Sequence, residues 1–125
     1  MIYTIGYAKK HAMQRIITYL NLQEKTYLLD IRYHPYSKWN KQFTKENLQK
    51  QFGSKYIHIK SLGNTHFNKK GTEIKLSNPD RAIKKIKLLM NKGYSFILLC
   101  ACEDYNTCHR KVVYDLLMKE EKDVK

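Results

Sequence analysis

An α/β fold is what the sequence predicts: a three-layer sandwich with a mostly parallel central sheet of four to five strands. Three observations lead there. Short apolar runs recur along the chain ("MIYTI", "TYLLDI", "KYIHI" and "YSFILLC"), stretches with apolar residues at helical spacing separate them, and glycine, proline or a capping residue marks most of the changes. With 125 residues and no linker, repeat or low-complexity segment, the chain is expected to form one α/β domain over 1–125.

The first strand ends at Gly6 and leads into a helix over about His11 to Asn21, with Met13, Ile16, Ile17 and Leu20 on one face. "TYLLDI" is the second strand. A turn-rich segment holding Pro35, Ser37 and Asn40 follows, then a short helix from about Lys45 to Phe52, N-capped by Thr44 and stopped by Gly53. "KYIHI" is the third strand. From Lys60 to Asn78 the chain turns polar, and a loop of that length in a compact domain is a candidate lid. Asn78 and Pro79 spell an N-cap followed by proline at the first helical position. That helix is expected to reach about Asn91, to bury Ile83, Ile86 and Met90, and to end near Gly93. "YSFILLC" is the most apolar strand and belongs at the centre of the sheet, covered on both faces. The last helix turns Val112, Val113, Leu116 and Leu117 to the sheet, and "KEEKDVK" frays or adds a short strand.

Charge narrows the partners. Lys and Arg number 24 against 11 Asp and Glu, a formal net charge of +13 that draws phosphates, nucleotides or nucleic acid toward the molecule. A lysine-rich composition gives the same sum with no partner, and no RNA- or DNA-binding signature accompanies it. No apolar run approaches the roughly 20 residues of a membrane span, and the opening residues lack the pattern of a secretory signal. Of the three cysteines, Cys100 and Cys102 are too close to staple distant segments, so reduced thiols, a cytoplasmic location and no membrane partner are expected.

In an open parallel sheet with right-handed crossovers, the strand ends that lead into helices share one edge, where ligands bind. Gly6 and Tyr7 leave the first strand, Asp30 and Arg32 the second, His58, Gly63 and Asn64 the third, and Cys100 to Arg110 the fourth. Within "NTCHR", Asn106 or Thr107 is the expected N-cap. Cys108, His109 and Arg110 would then occupy the first turn, at the positive end of the helix dipole. Such a turn suits an anion held in the fork of Arg110, and it favours a thiolate at Cys108.

Each of these residues also has a plainer reading. Asp30 and Arg32 suit structural ion pairs as well as ligand contact, and His58 suits a hydrogen-bonded core position better than a base. Tyr33, Tyr36 and Trp39 either stack on a base or sugar or close a core. His66, Lys69 and Lys70 either close over an anion or form a solvated loop. A zinc site would draw on Cys100, Cys102, Cys108 and His109. Paired CxxC knuckles are missing, however, and neighbours on a helix diverge by about 100°. No metal and no cofactor are therefore expected, and Cys100 is expected to be a small buried residue.

Four ordered motifs resemble the family known as domain of unknown function 488. "YTIGY" looks like its opening Thr-Ile-Gly segment, "LLDIRYHPYSKW" its Asp-x-Arg-x-x-Pro-x-Ser element, "YIHIKSLGN" its Tyr-x-His-x-x-x-Leu-Gly stretch, and "LLCACEDYNTCHR" its closing Cys…Glu…Cys-His-Arg signature. The resemblance implies an α/β domain and points to Gly6, Asp30, Arg32, Pro35, Ser37, His58, Leu62, Gly63, Cys100, Glu103, Cys108, His109 and Arg110. It supplies no reaction. Tyr7 departs from it, since the family often carries histidine after the glycine.

The expected function is a strand-exit pocket for a phosphorylated small molecule or nucleotide. Arg32, Arg110 and the helix N-terminus would hold the anion, with Gly6, Tyr7, Ser37, His58, Gly63 and Asn64 around it. As an enzyme, the chain would use Cys108 as nucleophile, with Asp30, Glu103 or His109 handling protons. The alternative is a basic nucleic-acid-associated module in which the Cys-His-Arg turn is structural.

Overall fold

Ser95–Cys100 (β4) is the strand around which the sheet is built. All six of its residues are buried, as a run without polar interruption requires of an interior strand. It pairs in parallel with Ile2–Gly6 (β1) on one side and with Thr26–Asp30 (β2) on the other, and Tyr56–His58 (β3) adds to the far side of β2. The order is β1-β4-β2-β3. In this computed structural model, residues 1–8, 10–38, 40–65, 74–101, 105 and 108–119 are described. The sheet they form has four strands, all parallel, as the sequence predicts. β3 is shorter than "KYIHI" because Lys55 belongs to a 3-10 turn and Ile59 has already left the strand.

Among the described residues, four helices cover the two faces: Ala12–Leu22 (α1), Lys45–Phe52 (α2), Asp80–Asn91 (α3) and His109–Met118 (α4). The connections from β1 to β2 and from β2 to β3 move across the sheet in one direction, whereas β3 to β4 moves back. Crossovers of one hand therefore put α1 and α2 on one face and α3 on the other. Packing agrees. Ala12, Ile16, Phe43 and Leu48 meet Ile5, Leu28, Ile97 and Leu99, while Ile83, Ile86, Val113 and Leu117 meet Leu29, Ile31, Phe96 and Leu98. Leu28 against Leu29, and Ile97 against Leu98, show the two-residue alternation that gives each face its own core.

The helix ends follow local chemistry. Thr44 caps α2, its hydroxyl accepting from the Asn47 N–H, and Gly53 ends it at φ 57°, where a side chain would be strained. Gly93, at φ 92°, follows α3 in the same way. α3 is assigned from Asp80, one residue later than proline at its first position implies. Pro79 nonetheless has helical dihedrals (φ −80°, ψ −21°), and its carbonyl accepts from the Ile83 N–H at 2.9 Å. In α1 the buried stripe runs through Ala12 and Ile16, so Ile17, about 100° further round, is exposed, contrary to the expected face. Met90 is half-buried, beside a buried Ile83 and Ile86.

Cys108 is the N-cap of α4, in extended conformation (φ −101°, ψ 146°). This corrects the assignment of that cap to Asn106 or Thr107, which lie outside the described residues. The stems of the long polar loop are tied by an antiparallel bridge between Asn64 and Leu76. Its middle, with His66, Lys69 and Lys70, lies outside the described residues, as does the terminal stretch 120–125. Among the described residues, no helix is long and apolar enough to cross a membrane.

Candidate functional site

The exits of β1, β4 and β2 lie side by side. The Tyr7 N–H donates to the Cys100 carbonyl at 2.9 Å and the Ile31 N–H to the Leu99 carbonyl at 3.1 Å, extending the ladders past the strands. The chain leaves β1 and β2 toward α1 and α2, but leaves β4 toward α4 on the opposite face. Adjacent strands whose connections part in this way leave a crevice between them, the usual binding position in such sheets. Asp30, Arg32, Cys108, His109 and Arg110 are all buried there. Burying that many ionisable groups is costly unless they are paired, so their partners decide what the site can do.

Asp30 and Arg32 pair with each other. Arg32 donates through Nε to Asp30 Oδ1 at 2.7 Å, through Nη2 to Oδ2 at 2.5 Å, and through its backbone N–H to Oδ1 at 3.2 Å. Tyr56 adds its hydroxyl to Oδ2 at 2.5 Å. Both carboxylate oxygens are thus occupied, and the fork of Arg32 is fixed in direction. Burial works against the charge on Arg32, but hydrogen bonding and attraction from Asp30 outweigh it and raise the guanidinium pKa. Burial first, and then Asp30, push the Tyr56 hydroxyl well above the ordinary tyrosine range. The guanidinium carbon stands 5.3 Å from the centroid of the Tyr7 ring, which stacks on Phe43 at 4.7 Å. One nitrogen, Arg32 Nη1, is buried with no hydrogen-bond partner among the described residues. A buried donor left unmade costs about 1–3 kcal/mol, so this nitrogen is a place where a ligand would repay the fold.

On the other side of the rim, His109 Nε2 donates to the Ile31 carbonyl at 2.6 Å, which fixes the tautomer and turns Nδ1 toward Cys108 Sγ, 3.8 Å away. Arg110 Nε donates to the same sulfur at 3.4 Å, and its guanidinium carbon lies 5.5 Å from the Tyr105 ring. Cys100 is buried as expected, and its sulfur, that of Cys108 and a ring nitrogen of His109 lie within 4.8 Å of one another. The expected divergence of Cys108 and His109 by a helical step is therefore wrong. It presumed two helical residues, whereas Cys108 is extended.

The predicted site residues that are described lie at the strand exits but divide between the sheet's two faces. Asp30 follows Leu28 in the alternation and meets Tyr56 and, through Arg32, Tyr7, all on the α1 and α2 side. Cys100 and Cys108 belong to the core under α3 and α4. His109 joins the two groups at Ile31. His58 is half-buried and donates through Nε2 to the Arg32 carbonyl at 2.7 Å, the hydrogen-bonded reading of that residue. Ser37 Oγ accepts from the Asn40 N–H at 3.0 Å and closes the turn after β2. Asn64 Oδ1 accepts from the Lys75 N–H at 3.0 Å and ties the loop stems. Gly6 is buried at the end of β1, and Gly63 packs against the Tyr33 backbone, where a Cβ would lie 2.5 Å from the Tyr33 Cα. Tyr36 is exposed. Glu103, Cys102 and Trp39 lie outside the described residues. Tyr56 is the participant that the sequence reading missed. Its only signal is its place two residues before His58, on the strand that flanks Asp30.

A family model described as "Domain of unknown function DUF488" matches residues 12–117, and the chain belongs to that family. No curated protein matches the chain, and no solved structure does.

Proposed function

Within a family whose description names no reaction, we propose that the strand exits bind the phosphate of a phosphorylated small molecule or nucleotide. The observation that carries this reading is Arg32 Nη1, a buried cationic donor without a partner among the described residues, on a guanidinium locked in place by Asp30. Arg110 at the first turn of α4, and the positive end of that helix, support it from the neighbouring exit. Asp30 then serves to aim Arg32, since its oxygens are already taken. Cys108 accepts from Arg110 and faces the imidazole of His109, an environment that suits a reactive thiol, and in the thiol-dependent form of this proposal it is the nucleophile.

Equilibrium binding of inorganic phosphate and nucleoside monophosphates, repeated across salt concentrations, tests the proposal. One bound phosphate gives a shallow salt dependence. Arg32→Lys keeps the charge but loses the fork, and should weaken binding by about 10- to 100-fold, the worth of one charge-assisted hydrogen bond. A steep salt dependence with nucleic acid as the tighter ligand would instead favour the basic-module reading, for which the +13 charge is the observation. Unchanged turnover in Cys108→Ser would remove the nucleophile role and leave the binding proposal standing.

A further inference from the structure

Two sulfurs and one imidazole nitrogen meet at the exit of β4, a grouping that phosphate binding does not require. The donor atoms of Cys100, Cys108 and His109 lie within 4.8 Å of one another, and all three residues are buried. The pair formed by Cys108 Sγ and His109 Nδ1 stands at 3.8 Å. Zinc–sulfur bonds near 2.3 Å and zinc–nitrogen bonds of 2.0–2.1 Å hold neighbouring ligand atoms about 3.6–4.0 Å apart, so this pair is already at ligand spacing. The third donor needs to close by no more than about 1 Å.

The imidazole is held as a metal ligand is held. Its Nε2 proton goes to the Ile31 carbonyl at 2.6 Å, which fixes the ring and places Nδ1 3.8 Å from Cys108 Sγ. Two thiolates offset the charge of a divalent ion, so the buried cluster gains no net charge on binding. The two thiol protons leave to solvent as the ion enters. Arg110 Nε, 3.4 Å from Cys108 Sγ, shares the charge of that thiolate.

We propose that Cys100, Cys108 and His109 form a zinc(II) site, supplying three protein ligands among the described residues, the number that leaves a fourth position to be filled. The site is separate from Arg32, and it goes beyond the phosphate reading. Zinc bound here makes Cys108 a ligand, so metal occupancy and thiol reactivity exclude each other.

The whole chain, reduced and stripped with a chelator, is titrated with cobalt(II), then with zinc(II) against a chromophoric chelator. The expected result is one equivalent bound, a thiolate-to-cobalt charge-transfer band that zinc abolishes, and protection of Cys108 from iodoacetamide by zinc. Cys100→Ala and Cys108→Ser should each weaken binding by about 100-fold or more, at or beyond the upper end of what losing a ligand's supporting partner costs. Cys102→Ser should keep the band. Absence of the band from the wild-type chain overturns the proposal, whether or not the variants fold. So does a band that survives both the Cys100 and Cys108 substitutions, or one that requires Cys102 in place of Cys100. Phosphate binding by the stripped protein is measured separately, so the two proposals fail independently.

Discussion

His109, at the start of α4, donates its Nε2 proton to the carbonyl of Ile31, the residue between Asp30 and Arg32, at 2.6 Å. That bond closes the gap between two strand exits 78 positions apart in the chain and fastens the last helix to the rim. Replacing His109 with Leu leaves a buried carbonyl without this donor. The expected loss is about 1–3 kcal/mol of unfolding free energy in urea. An unchanged midpoint would show that the helix docks by apolar packing alone.

Asp30→Asn should cost more. Removing one partner of a buried pair leaves an uncompensated charge, and about 3–5 kcal/mol is the usual loss. Converting both partners to apolar residues (Asp30→Leu with Arg32→Met) should recover much of that stability and still abolish phosphate binding. Recovery of binding in the double variant would contradict the role of Arg32.

Tyr56→Phe removes a hydroxyl that donates to Asp30, and the expected loss near neutral pH is about 1.5–3 kcal/mol, typical of a hydrogen bond to a charged group. The effect depends on pH in a defined direction. Because the folded pKa of Tyr56 is raised, its contribution is complete below about pH 10, the unfolded tyrosine value, and is lost as pH rises toward the folded value. Stability of the wild type should therefore fall relative to Tyr56→Phe above pH 10. Parallel curves in that range would contradict the assignment.

Gly63→Ala tests a close approach without backbone strain. The added Cβ would lie 2.5 Å from the Tyr33 Cα and 2.6 Å from its nitrogen, so backbone must move. A loss of about 1–3 kcal/mol or more is expected, as for overpacking. Gly53→Ala is the contrast: nothing described lies within 4 Å of its Cβ, but φ is +57° with ψ −129°, a region close to glycine-only, and the cost is about 1–3 kcal/mol of backbone strain. Urea unfolding of the two variants measures both losses.

The layers of the fold were legible because their signals are local. Apolar runs marked the strands, and "YSFILLC" stood out as interior because no polar residue interrupts it. Thr44 and Gly53 announced the ends of α2. The site was legible only as a set of exits. Asp30 and Arg32 are two residues apart and lie on one face, so their pairing was within reach of the sequence; that Tyr56 would join them depends on the register of β2 with β3, which no local pattern encodes. The cap of α4 falls at Cys108, one or two residues after the Thr107 or Asn106 that the sequence suggests, and that step changes the chemistry. An extended N-cap lets its sulfur meet the ring of the next residue, which two helical residues cannot arrange.

Arg32 Nη1, buried and without a hydrogen-bond partner among the described residues, is the atom that the proposed phosphate would meet. Two-dimensional proton–nitrogen NMR of the guanidinium groups, recorded while inorganic phosphate is added to the metal-free protein, observes it directly. The predicted result is a saturable shift of the Arg32 side-chain signals as the Nη1 protons gain an acceptor. Arg32 signals that stay fixed while those of the exposed Arg15 and Arg81 drift in proportion to added phosphate would contradict it.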